Sequence, residues 1–155
     1  MSHAGQSLQE ANDFMRLEAP LLALLAQATA GMSPAVRIFT AADLAQVKDA
    51  AQHTPAVHLI YGGYQVAEAA GTQWRLQHKW FAVAAVRNVA AVRSGQAARR
   101  DAGQLAAIVA GCLAGAQVAG ATRALELLTP PPAHYADGFQ YIPVAVQAET
   151  IFRKP

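Results

Sequence analysis

Cysteine is nearly absent: Cys112 is the only one in 155 residues, which excludes an internal disulfide and any multi-cysteine metal site. Aromatics amount to 7%, so few large anchors exist for a core or a ligand pocket. Charged residues make up 14%, against a typical share of about 25%. That leaves little charge to keep a free subunit soluble, while an apolar content of 54% excludes a disordered chain. Long apolar runs are missing as well. The longest, Leu105 to Ala116, is broken by Gly111 and falls well short of the ~20 residues of a membrane-spanning helix. Met1 to Gln6 is polar, without the basic start and apolar stretch of a secretory signal, so synthesis in a cytoplasm without membrane attachment is expected. The net charge of +2 is too mild for a dedicated nucleic-acid binder.

What the chain has in quantity is alanine, with 37 copies. Residues 1–155 read as a single domain, with 1–6 expected to be flexible. Ser7-Leu8-Gln9-Glu10 has the form of a capping box, and Leu17, Leu21, Leu24, Leu25 and Ala28 recur at helical spacing. Pro20 predicts a break within that pattern, with the firmer helix from about Pro20 to Thr29. A short strand is expected at Val36 to Phe39. Thr40-Ala41-Ala42-Asp43 is a second capping pattern, opening a short helix that runs to about Ala51. Ala56 to Tyr61 reads as a strand, and Gly62-Gly63 as a turn or bulge after it.

Gln73 to Asn88 is the most informative stretch. Trp74, Leu76, His78 and Trp80 alternate with Arg75, Gln77 and Lys79, which is the pattern of a half-exposed strand. From Phe81 both faces turn apolar, which predicts cover on both sides, the second expected from a neighbouring subunit. Gln96 to Val118 predicts the second main helix, with Leu105, Ile108, Cys112, Leu113 and Ala116 buried and Gly103, Gly111 and Gly115 marking close approaches. A strand at Arg123 to Leu128 follows, then a loop stiffened by Pro130-Pro131-Pro132. Asp137-Gly138 marks a turn. The last strand spans Phe139 to Phe152, where Pro143 points to an edge or a bulge. The fold class is α+β: a mostly antiparallel sheet of about 4–5 strands, two main helices on one face, and a short extra helix.

Catalytic constellations are not found. His3, His53, His58, His78 and His134 are scattered without an HExxH helix, and His58 with His78 across paired strands would make a poor metal site. Ser94-Gly95 is not a nucleophile elbow, Cys112 falls in an apolar helical stripe, and no phosphate-binding loop is present. No enzyme activity, cofactor or metal is therefore expected. Charge does segregate: Arg75, Lys79, Arg87, Arg93, Arg99 and Arg100 lie between Glu68 and Asp101 with no acid among them. This is a solvated face, or a docking surface for an acidic partner or an identical subunit; direct DNA binding ranks last, since aromatics are not interleaved with these charges on one face.

An ordered set of segments resembles the tail terminator (tail completion) proteins of Mu-like and lambda-like tailed bacteriophages. It comprises Pro55 to Tyr61, Trp80 to Asn88 ending in Arg-Asn, the Gly103 to Gly115 helix with Leu105 and Leu113, and Tyr135-x-Asp137-Gly138-x-x-Tyr141-x-Pro143-Val144. The resemblance implies a structural virion subunit that assembles into a ring, usually hexameric, at the head-proximal end of the tail tube. There it stops tube polymerisation and offers a surface for head joining. The implied partners are further copies of itself, the tail tube protein and a head-completion or neck protein, with DNA only as passing cargo. The alternatives are another neck component such as a head–tail stopper, or a small ligand-binding or enzymatic α+β domain. The residues expected at subunit or partner contacts are Arg75, Lys79, Phe81, Val83, Arg87, Pro131, Tyr135 and Phe139, with Tyr135 and Phe139 as anchors of the proline loop.

Overall fold

A computed structural model describes residues 7–49, 53–90 and 92–155. The flexibility expected for residues 1–6 and the helix end expected near Ala51 lie outside the described residues. In chain order the elements are α1 (Leu8–Asn12), α2 (Glu18–Thr29), β1 (Arg37–Thr40), α3 (Leu44–Asp49), β2 (Ala56–Ala70), β3 (Gln73–Arg87), α4 (Gln96–Leu113), β4 (Glu126–Leu128), β5 (His134–Ala136) and β6 (Phe139–Arg153). One sheet runs in the order β1-β2-β3-β6-β4, with β5 paired to the start of β6. Among the described residues only the β1–β2 pair is parallel. The α+β expectation holds, with one strand more than expected. That strand, β5, arises because Asp137 and Gly138, both at positive φ, form the two-residue type I′ turn of a hairpin.

β2 does not stop at Gly62. Tyr61 pairs with Trp80 and Tyr64 with His78, so Gly62 and Gly63 together oppose Lys79 as a bulge, and the strand continues to Ala70. Glycine is required there because a Cβ on Gly62 would sit 2.6 Å from the Phe81 ring. Gly71-Thr72 then turns the chain into β3, with Gly71 alone at positive φ, as in a type II′ turn. β2, β3 and β6, fifteen residues each, form a long three-stranded ribbon, and α1 meets its far end through Asn12 and Arg153.

Several local expectations shift for identifiable reasons. Pro20 falls in the first turn of α2, where its missing N–H has no intrahelical partner to lose, so the helix runs through it. The break comes earlier, at Asp13, whose Oδ1 accepts from Met15 N–H at 2.9 Å. The second capping box forms three residues later than expected. Asp43 Oδ1 accepts from Gln46 N–H at 3.0 Å, and Gln46 Oε1 accepts from Ala42 N–H at 2.7 Å. α4 ends at Leu113, with Gly115 at positive φ just beyond it. Pro143 falls between β5 and β4 on the outer edge of β6, where no ladder bond is missed.

The main core lies between the sheet and α2 with α4. Leu17, Leu21 and Leu25 meet Leu105, Val109 and Leu113 over Val57, Leu59, Trp80, Ala82, Val144 and Val146. The buried stripe of α4 is rotated from the expected one. Ala98, Ala102, Leu105, Val109 and Leu113 face in, Ile108 is exposed and Cys112 half-buried. Alanine at two of the inward positions lets the helix lie close to the strands. Gly103 and Gly111 are not close-approach sites, since a Cβ on either would meet nothing within 4 Å. The opposite face carries a second, smaller core of Val47, Ile60, Val83, Ala85 and Tyr141. The second cover of β3 therefore comes in part from the chain's own α3, where a neighbouring subunit was expected.

Leu105→Ala should destabilise the subunit by about 2–5 kcal/mol, the range for emptying a buried leucine site, whereas Ile108→Ala should stay within about 1 kcal/mol. Urea denaturation of the two variants separates this core assignment from the one expected from spacing.

Candidate assembly surface

The eight residues expected at contacts fall into two regions. Arg75, Lys79, Phe81, Val83 and Arg87 alternate along β3 and so share one face of the sheet, the face that α3 partly covers. Twelve residues separate Arg75 from Arg87, about 40 Å along a strand at ~3.3 Å per residue, so they do not form one patch. Val83 is fully buried inside the subunit and contributes no surface. Phe81 is half-buried and floors an apolar groove of about 410 Å³ with Ile60, Leu44, Pro131 and Pro143. A second hollow, beside Pro132, His134 and Tyr141, adjoins it through Leu44 and Pro143. This groove between α3 and the proline loop was invisible in the sequence, because nothing local says that residues 42–45 and 131 will flank the same strand.

Sheet pairing gives Arg75, one of the six basic residues of the apparent band, two acidic partners. Glu68 of β2 lies 2.6 Å from Arg75, and Glu149 of β6 reaches the same guanidinium at 3.6 Å while accepting from Thr122 Oγ1 at 2.7 Å. Between Arg75 and Lys79 the surface is glutamine-rich, with Gln65 Nε2 donating to Gln77 Oε1 at 3.2 Å. The balance is local to Arg75, because a strand residue meets side chains from the two strands beside it.

At the other end of β3, Arg87 and Phe139 are register partners, and the Arg87 guanidinium stands 5.2 Å above the Phe139 ring centre. Phe139 lies nearly parallel to Tyr141 at 6.4 Å. Tyr135 is not a free anchor. Its ring packs on Gly95, where any Cβ would come within 2.7 Å of it, and its hydroxyl donates to Val92 O and accepts from Gly138 N–H. The loop is thus tied to the segment before α4 through Tyr135, and Pro131 presents its side to the groove.

The histidines are placed apart. His78 lies on the sheet face that carries the main helices, beneath Phe14, with Nδ1 at 2.8 Å from Tyr61 Oη and Nε2 at 2.8 Å from Thr150 Oγ1. His58 lies on the opposite face, stacked on Phe39 at 5.2 Å, and its buried Nε2 has no partner. The pair considered from the sequence does not meet. Among the described residues no group of three potential metal ligands gathers. Cys112 donates to Val109 O at 3.3 Å, and burial pushes its thiol pKa up, toward the unreactive form.

A family model described as phage tail terminator protein matches residues 17–155. Among solved structures, a chain in the virion of a native gene transfer agent particle is 19% identical over 96% of this chain and 98% of that one, with a TM-score of 0.45. No curated protein matches the chain.

Burial lowers the pKa of His78 and, with His53 adding to the effect, that of His58 below the ordinary 6.5. Both bind protons more readily in the unfolded chain, so their neutral-state stability is complete above pH 6.5 and falls as pH drops below it. Each can contribute at most about 1.4 kcal/mol per pH unit to that slope. Urea titrations between about pH 5 and about pH 8 should show the decline, and His58→Leu should remove part of it at small cost near neutrality.

Proposed function

The chain belongs to the phage tail terminator family, and on that footing we propose that it acts as the subunit of a ring that ends the tail tube. The family is one of phage tail structural proteins, and the match over residues 17–155 is the observation that carries the reading. In it, copies close a ring, hexameric in the form the resemblance implies, by heterologous contacts in which one patch meets a different patch on the next copy. The ring stands at the head-proximal end of the tube, prevents further tube subunits from adding, and offers its other side to a head-completion or neck protein. Assembly takes place in the host cytoplasm and the finished ring stays in the virion tail.

Physical features of the subunit support this. Low charge and an exposed groove with Leu44 and Pro131 at its walls suit a protein that works by contact area. The near-balanced charges around Arg75 suit a channel wall, because an unpaired row of cations facing DNA would bind phosphates and slow passage.

Particles assembled without this protein should show tails of abnormal length that fail to join heads, and adding the purified protein to growing tubes should arrest elongation. Electron micrographs measure both outcomes. Tails of normal length joined to heads in its absence would refute the assignment.

A further inference from the structure

We propose that the open edge of β2 is where the next copy adds, by pairing with that copy's β4. This rests on the ring reading above and names its contact. Ala70 and Gln73 flank a two-residue turn and so exchange hydrogen bonds. Counting back through the bulges, the backbone groups of Tyr61, Tyr64, Val66 and Ala69 point away from β3. The bond from Ala41 N–H to Leu59 O, on the same side, agrees with that count. β1 occupies this edge only as far as Leu59, and no described strand or side chain bonds the groups above it. Tyr64 is 51% and Val66 54% exposed, and Glu68 is the only charge from Gly62 to Ala70. Long, weakly charged, unpaired edges are what proteins otherwise shield.

The opposite side of the sheet is treated differently. On β6, Glu149 O accepts from Thr122 N–H at 2.8 Å. Arg153 N–H donates to Asn12 Oδ1 at 3.0 Å, and Arg153 O accepts from Asn12 Nδ2 at 2.7 Å. On β4, Leu125 is committed to Gly115 and Ala116. Leu127, 50% exposed, is the rung of β4 left open.

The two open edges fit each other. β4 runs antiparallel to β6, which is parallel to β2, so copies arranged with one common orientation bring β4 against β2 as an antiparallel pair. Leu127 shares a row with Val146 and Trp80, on the face where Tyr64 and Val66 pair with His78 and Leu76, so apolar side chains meet apolar ones. Glu126, on the other face, arrives beside Lys79, which has no ion pair within the subunit among the described residues. Gly62 and Gly63 place no side chain between them. Because the two edges differ, the contact is heterologous and repeats from copy to copy.

The test uses the full chain with Cys112→Ala, adding Gln65→Cys, Glu126→Cys, or both, and a short bismaleimide. Light scattering first establishes whether a ring forms; a strict monomer at every concentration and on tail tubes would end the ring reading and this contact with it. Where a ring forms, the double variant should give a ladder of covalent oligomers and each single variant none. A ring without the ladder overturns the contact alone. A dimer from Gln65→Cys alone would mean a two-fold β2–β2 pair, and also overturns it. As an independent check, Val66→Pro removes an N–H that no internal bond uses, so thermal melting should change little. Assembly should need about tenfold more protein or more, while Val66→Thr, which keeps the N–H, should assemble as the parent does. Unchanged assembly of a folded Val66→Pro protein would also overturn the proposal.

Discussion

The ladder of β3 sets every other position in this subunit. All fifteen of its residues pair in continuous register with β6, and twelve pair with β2 across two bulges. Because side chains alternate, this one strand decides that Trp80, Ala82 and Ala84 face the long helices while Phe81, Val83 and Ala85 face α3. A slip of one residue would exchange the two sets and turn Arg75 and Lys79 into the main core. The register is therefore over-determined by burial on both sides, and a fold with few aromatics can rest on it.

The parts of the fold that could be read in advance are those dictated by period and by turn chemistry. Trp74 to Trp80 alternates so cleanly that strand, wet face and buried face were all legible, and Asp137-Gly138 announced its hairpin. Legibility failed where alanine and glycine blur the pattern. In α4, Ile108 and Cys112 looked more buried than Ala98 or Ala102 because they are larger, but close packing against a sheet selects small side chains. In β2, Gly62-Gly63 resembled an end, and Tyr64 to Ala70 held too little alternation to signal a strand, since each bulge swaps the faces. The helix α3 was expected, but its role as cover for the second face depends on contacts distant in sequence.

The contact residues show the same division. Charge along the chain suggested a basic surface, yet Glu68 and Glu149 neutralise Arg75 only after β2 and β6 are laid beside it. Tyr135 was expected to reach outward because proline-stiffened loops usually project, but Gly95 leaves a hollow that its ring fills. Phe139 and Arg87 found each other through register instead of proximity in sequence. For a protein built to fit other chains, the informative surface is made by topology, and a one-dimensional string carries that poorly.

Residues before Leu17 lie outside the matched family region, yet they do specific work on the sheet. Phe14 packs edge-on against Tyr64, His78 and Phe152, tying the far end of the ribbon together, and Asn12 meets both backbone groups of Arg153. An asparagine amide has the donor and acceptor of one peptide unit but no chain to continue it. It therefore impersonates a strand for a single step and then stops, as a terminal tile closes a row. The margin beside Arg153 is thus closed at its tip by a counterfeit peptide, while Leu127 farther along and the long edge of β2 across the sheet stay receptive.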